Sequence, residues 1–332
     1  MKMETPSRPR QGLPAWGIAA SVGIALVAAS AIVVRSAGGP SPRFLSGASA
    51  EGVVSADGPD ADPVAIDDEP VAPPRARPTA ILASLPAKEV APAVPAKRDD
   101  AGAAIARAKA AIAECRARYR ALHDYACVFH KRERIDGKLT RPHVMNMRVR
   151  TEPYGVYIKF VAPDPGREAI YQPAKHNGKI VYHDIGIGRL IAGTMLLDPR
   201  GTLAMDENRH PISDAGIGNL IEMVRDRWES ELDPAESVVT IHEHARVADR
   251  ACTMIEASHP RVSRSYSFHK VKVYIDHELG LPIRFEAYDW PKSAGAEPEL
   301  VEEYTYSDLK TDVGVGDVDF DAANPHYAFG RF

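Results

Sequence analysis

At Tyr125 the apolar periodicity of this chain changes from three-and-four to two, and period-two segments recur until Leu309. Tyr125, Cys127 and Phe129 stand on one face of the first such segment. Asp136-Gly137 follows as a hairpin turn, and the return strand is predicted over 138–150. Further strands are predicted over 156–161, 168–171, 179–183, 238–242, 251–257, 265–275, 281–288 and 300–309. Asn177-Gly178 and Leu279-Gly280 mark turns between them. Strands joined by tight turns are antiparallel, and an open antiparallel sheet of this length curls or closes.

Two stretches carry a helical period. Residues 103–122 place Ile105, Ala108, Ile112 and Cys115 on one face, and residues 211–232 do the same with Ile217, Leu220, Ile221, Val224 and Trp228. Each face needs a sheet to pack on. The expected fold class is therefore α+β: a curved antiparallel sheet, an open half-barrel, with packing or lid helices on its concave side. Such a space commonly becomes an apolar cavity.

Composition is segregated along the 332 residues, and many of the 27 prolines lie before residue 100. Residues 1–12 are expected to be a cytoplasmic N-terminus. Leu13 to Val34 holds no charged residue, and about 20 apolar residues span a bilayer core. Lys2, Arg8 and Arg10 precede it with only Glu4 against them. This bias predicts a single-pass inner-membrane anchor with its N-terminus inside and the bulk of the chain in the periplasm or outside. A cleaved signal sequence is the rival reading. Residues 35–100 are rich in Pro, Ala and Asp, with only Phe44 to bury among aromatics, and read as a disordered linker. The folded domain is expected over 101–327, with a tail at 328–332.

The run from Asp124 to Leu139, reading Asp-Tyr-Ala-Cys-Val-Phe-His-Lys-Arg-Glu-Arg-Ile-Asp-Gly-Lys-Leu, resembles the start of a family of planctomycete-type bacteria, domain of unknown function 1571. Tyr157-Ile158-Lys159-Phe160, Gly166 through Tyr171, Leu279 through Arg284 and Tyr288-Asp289-Trp290-Pro291 resemble it as well. So do Glu302 through Tyr306 and Asp319 through Pro325. That family looks distantly similar to the periplasmic lipoprotein carriers LolA and LolB and to the sensor RseB. The resemblance implies a LolA-like half-barrel around an apolar ligand space, and it names no ligand.

Candidate site residues follow from this expectation. Phe129, Tyr157, Phe160, Tyr171, Phe285, Tyr288 and Tyr304 are candidates for the cavity wall, although alternation does not say which sheet face is concave. Arg167 is placed to meet a polar head group, or else to pair with Asp164 or Glu168 on the surface. Trp290 is a candidate gate at a cavity mouth. Cys127 and Cys252 both fall in predicted strands and would form a disulfide if their Cα atoms came within about 7 Å; buried free thiols are the alternative. His242 and His244 share a strand face, but no third metal ligand is identifiable.

No hydrolase, phosphate-loop or metalloprotease motif occurs. Neither a catalytic centre nor a cofactor is expected. The net charge of −4 lacks the basic surface that nucleic acid requires. The expected function is a membrane-tethered cell-envelope protein that binds a lipid, a lipoprotein acyl chain or another apolar ligand. The alternative is an RseB-like sensing or protein-interaction module, without enzymatic activity, whose partner is an envelope protein.

Overall fold

The computed structural model describes residues 100–185 and 193–330. The predicted N-terminus, the anchor over 13–34 and the linker up to residue 99 lie outside the described residues. Among the described residues, no helix is long and apolar enough to cross a membrane.

Helix α1 (Ala101–Arg120) buries Ile105, Ala108, Ile112 and Cys115, one residue per turn along a single stripe. It leads into β1 (Asp124–Ile135), whose burial alternates residue by residue. The predicted return strand is broken in two, β2 (Lys138–Leu139) and β3 (His143–Arg150). Pro142 lies in the gap, where it has no N–H to give a ladder. Next come β4 (Gly155–Ala162), β5 (Glu168–Tyr171), β6 (Ile180–His183) and β7 (Thr194–Leu197). A one-turn helix α2 (Thr202–Met205) and helix α3 (Ile217–Glu231) follow. The chain then forms β8 (Val238–Val247), β9 (Arg250–Ser258), β10 (Lys270–Asp276), β11 (Pro282–Tyr288) and β12 (Leu300–Thr311).

All the strands among the described residues belong to one curved antiparallel sheet, in the order β7-β6-β5-β4-β3-β1-β12-β11-β10-β9-β8, with β2 paired to β1 alone. Among the described residues β7 and β8 do not pair with each other, so the sheet stays open. These two edge strands are consecutive in the chain. The connection between them, residues 198–237, therefore has to travel from one edge of the sheet to the other. It carries α2 and α3, and it is the cover of the concave face.

Helix α3 begins six residues later than the sequence predicts. Gly216 has φ of +95°, which breaks the helix there, and any side chain at this position would collide with the Tyr125 hydroxyl. That hydroxyl donates no space to a Cβ because it accepts the Ile217 N–H at 2.9 Å. The main core lies between the sheet and helices α1 and α3, with Tyr125, Cys127, Met147, Val149, Ile221 and Trp228 among its buried residues.

The opposite face of the sheet is also apolar. Tyr157, Ile170 and Val181 are covered there by Val315, Phe320 and Phe329 from the end of the chain. Phe329 is buried, and the Ala328 N–H donates to Glu168 Oε2 at 2.9 Å, so the folded domain extends into the expected tail. A third cluster holds Ala245, Val247, Cys252, Met254, Tyr274 and Ile283.

Candidate functional site

Same-face residues along β1 run from apolar to charged: Tyr125, Cys127, Phe129, Lys131, Glu133. Antiparallel pairing aligns this gradient with its neighbours. Met145 of β3 sits opposite Phe129, and His143 sits opposite Lys131. On the other side, Tyr306 of β12 pairs with Phe129, Tyr304 with Lys131, and Glu302 with Glu133. One end of the concave face is consequently apolar and the other polar.

Between this face and its cover lies a cavity of about 630 Å³. Phe129, Met145, Ile158, Phe160 and Ala169 form its sheet wall, and Ile180, Tyr182, Met195 and Leu197 continue it towards the β7 edge. The cover contributes Leu203, Ala204, Pro211, Ile212, Leu220 and Met223. Leu203 is 74% exposed and therefore belongs to the rim.

The polar end is held by a dense network. Lys131 Nζ donates to Glu133 Oε2 at 3.2 Å, to the Glu207 carbonyl at 3.0 Å and to Asn208 Oδ1. Tyr304 donates to Glu133 Oε1 at 2.5 Å. Glu133 Oε2 also accepts the Arg209 N–H at 2.9 Å. Glu302, fully buried, takes Arg209 Nε at 3.1 Å and His210 Nε2 at 2.9 Å on one oxygen. Burial works to raise the Glu302 carboxyl, but the hydrogen bond and charge of His210 and the charge of Arg209 hold it below the ordinary glutamate value. The same hydrogen bond lifts His210 above the ordinary histidine value, against its own burial. Two buried carboxylates of the sheet thus anchor the connection that covers the cavity.

Of the residues singled out by sequence, Phe129, Phe160, Arg167 and Tyr304 line the cavity. Arg167 faces three carboxylates, with Asp164 and Asp184 at 3.4 Å and Glu207 at 3.3 Å, and its guanidinium lies 5.4 Å from the centre of the Phe160 ring. The other five lie elsewhere. Tyr157 is on the outer face, stacked on Tyr327 at 4.2 Å. Tyr171 packs edge-on against Tyr154 in the main core, and Phe285 stacks on Tyr304 there. Tyr288 donates to Glu286 at 2.6 Å. Trp290 Nε1 donates to the His259 carbonyl at 3.1 Å, and Trp290 is not among the residues that line the cavity. Successive strand residues alternate faces, so Tyr157 and Phe160 could never have shared one. Sequence periodicity does not single out Met145, His143 or Met195; Met145 and His143 reach the site by pairing with Phe129 and Lys131, and Met195 by pairing with Tyr182, registers that sequence alone does not display.

Of the two readings of Cys127 and Cys252, the buried free thiols hold and the possible disulfide does not: Cys115, Cys127 and Cys252 are free and buried. Strand β9 is four strands from β1, or about 19 Å along the sheet at about 4.8 Å per step. The two thiols also belong to different clusters. The His242–His244 alternation is interrupted by a register shift between His242 and Ala245, and among the described residues no group of three His, Cys, Asp or Glu side chains is arranged to hold a metal ion.

The nearest approach to a catalytic arrangement is Ser237 Oγ at 3.2 Å from His259 Nδ1, with Glu231 at 3.9 Å from His259 Nε2. Ser237 is buried, and its oxygen already serves the Asp233 N–H at 3.1 Å. The adjacent void, about 10 Å³, has room for about one water. This group closes a turn and admits no substrate.

A family model described as a protein of unknown function, DUF1571, matches residues 122–329. The chain belongs to that family. The match spans β1 through the outer-face cover and so contains the whole sheet wall of the cavity. No curated protein matches this DUF1571 member at a significant level. Among solved structures it is similar to a putative outer membrane lipoprotein-sorting protein domain from Vibrio parahaemolyticus, with 11% identity over 65% of this chain and 94% of that one, TM-score 0.30. It is similar to the lipoprotein LppX of Mycobacterium tuberculosis, with 12% identity, coverage of 66% and 99%, and TM-score 0.37. A LolA superfamily protein from Nitrosomonas europaea gives 11% identity, coverage of 64% and 97%, and TM-score 0.25. At TM-scores this low none of the three decides what the DUF1571 domain binds, and the cavity itself has to carry the reading.

Proposed function

We propose that this domain binds a ligand with an apolar chain, a lipid or a lipoprotein acyl chain, in the cavity between its sheet and the 198–237 connection. The observation that carries the reading is the unfilled space of about 630 Å³ with an apolar wall. Ligand sites commonly measure about 300–1,000 Å³, whereas a domain that served only as a scaffold would close such a space with side chains. Burial of an alkyl chain contributes about 0.8 kcal/mol per CH₂. Displacement of the cover, held by Arg209 and His210, is the route of entry.

The reading includes tethering to the inner membrane through residues 13–34, with the linker to residue 100 carrying the domain into the periplasm. A retained anchor suits a receptor or sensor better than a shuttling carrier. The test is native mass spectrometry of the full chain purified from a bacterial envelope, followed by lipid extraction. A co-purified acyl species at fixed stoichiometry is expected. A clean apo mass that also takes up no fluorescent fatty acid would remove the lipid reading and leave the protein-interaction role.

A further inference from the structure

Among the described residues, Lys131, Arg167 and Arg227 are the lysine and arginine side chains of the cavity wall. The first two have their charge matched. Lys131 is engaged by Glu133, the Glu207 carbonyl and Asn208. Arg167 has an Nε without a hydrogen bond, yet Asp164, Asp184 and Glu207 surround its guanidinium at 3.3–3.4 Å. Arg227 is the exception. It stands on the cavity side of α3, one turn beyond Met223 and two beyond Asn219. Its guanidinium lies 4.6 Å from the centre of the Phe268 ring, which orients it without supplying a counter-charge. Its Nη1 is buried without a hydrogen-bond partner, and among the described residues the side chain makes no ion pair. A buried guanidinium atom left unpaired is costly and calls for an explanation.

The carboxylates near Arg227 are already answered by other groups. Glu302 feels the charge of Arg227 through space, but against its burial it is held first by His210 and then by Arg209, both on Oε2. Its Oε1 is without a partner, yet the single charge of that carboxylate is shared by two cationic side chains before Arg227 is counted. Glu133 answers Lys131. Glu231 borders the small adjoining void rather than the cavity, and it accepts the Ser267 N–H and hydroxyl. Asp214 faces Arg200 at 3.6 Å, and Asp206 is exposed. Lys131, Arg209 and Arg227 thus stand against Glu133 and Glu302, with His210 adding to the positive side when protonated. This side of the cavity is short of negative charge.

We infer that the cavity takes an amphiphile with an anionic head group, a carboxylate or a phosphate, and that Arg227 is the residue that receives it. The planar fork of a guanidinium matches two oxygens of either group, and the apolar wall formed by Phe129, Met145 and Met223 takes the chain. The inference rests on the apolar-chain reading above and adds the class of head group to it.

The test uses the full chain in amphipol at about pH 8, labelled with a photoactivatable alkyl probe whose attachment sites are located by mass spectrometry. Two competitors of equal chain length are compared, dodecanoate and 1-monododecanoylglycerol. Dodecanoate is expected to protect peptides containing Phe129 and Met145 at a concentration at least tenfold lower than the monoglyceride. Arg227→Met, which keeps an apolar stem beside Phe268, should bring the ratio close to one while labelling persists, and Arg227→Lys, which keeps the charge, should retain a preference for dodecanoate. An unchanged ratio in Arg227→Met would overturn the assignment to Arg227. Equal or stronger protection by the monoglyceride in the unaltered chain would overturn the head-group inference and leave the apolar-chain reading standing. Inorganic phosphate at the dodecanoate concentration should leave labelling unchanged; protection by it would mark a site for a free anion and overturn the amphiphile. Absence of any labelling of cavity peptides would overturn both the head-group inference and the apolar-chain reading.

Discussion

His210 Nε2 lies 2.9 Å from Glu302 Oε2, and this contact ties the connection over the cavity to a strand on the central part of the sheet. His210 is raised above its ordinary value of 6.5 and Glu302 is lowered from 4.5. The histidine contribution is complete below about 6.5 and is lost as pH rises through the raised value. The glutamate contribution is present above about 4.5 and is lost as pH falls through the lowered one. The contact is therefore strongest between these limits. Hydrogen exchange of residues 206–216, corrected for intrinsic rates, should be slower at about pH 6 than at about pH 9. Equal corrected protection would contradict a charged contact.

Removing the cationic partners should be costly, because Glu302 is fully buried and would stay behind uncompensated. The double variant Arg209→Ala with His210→Ala strips Glu302 of both partners and should cost about 3–5 kcal/mol. Tyr304→Phe removes only the hydroxyl that bonds Glu133 at 2.5 Å and Glu302 at 3.3 Å, and should cost about 1–3 kcal/mol. Denaturant titration of the two variants checks the order; a larger loss from Tyr304→Phe would refute it.

Helices α1 and α3 cross at Gly218. A Cβ there would run into the ring of Tyr119. Gly218→Ala should destabilise the domain by about 1–3 kcal/mol despite alanine's better helix propensity. The double variant with Tyr119→Leu should recover much of that loss in the same thermal melts.

The three thiols should be inert in the native state. Burial pushes Cys115 up to about 12 and Cys252 up to about 11, and Cys127 is raised as well. A maleimide reagent should modify none of them until denaturant is added, and the intact mass should not change on reduction.

Filling the cavity should separate binding from folding. Ala169 faces the space from β5. Ala169→Trp should lower the uptake of an alkyl ligand at least tenfold while the far-ultraviolet circular dichroism stays unchanged. Unchanged uptake would place the ligand elsewhere.

Much of this architecture follows from local physics that can be read along the chain. Period two with Asp136-Gly137 and Leu279-Gly280 turns forces antiparallel pairing, and the stripes Ile105–Cys115 and Ile217–Trp228 force helices that pack by one face. The central strand even displays the polarity gradient of the site, from Phe129 to Glu133. Three things were decided only by the tertiary structure. The first is which face is concave. Alternation distinguishes two faces when one is wet, but here Phe320 and Phe329 cover the outer face, so Tyr157 is as buried and aromatic as Phe129. The second is the cover: only the strand order puts β7 and β8 at opposite edges and sends residues 198–237 across the cavity. The third is the set of contacts made by that crossing. Arg209 and His210 lie far from Glu133 and Glu302 in sequence, and no propensity or spacing links them. Their meeting depends on a curved sheet bringing distant strands under one loop.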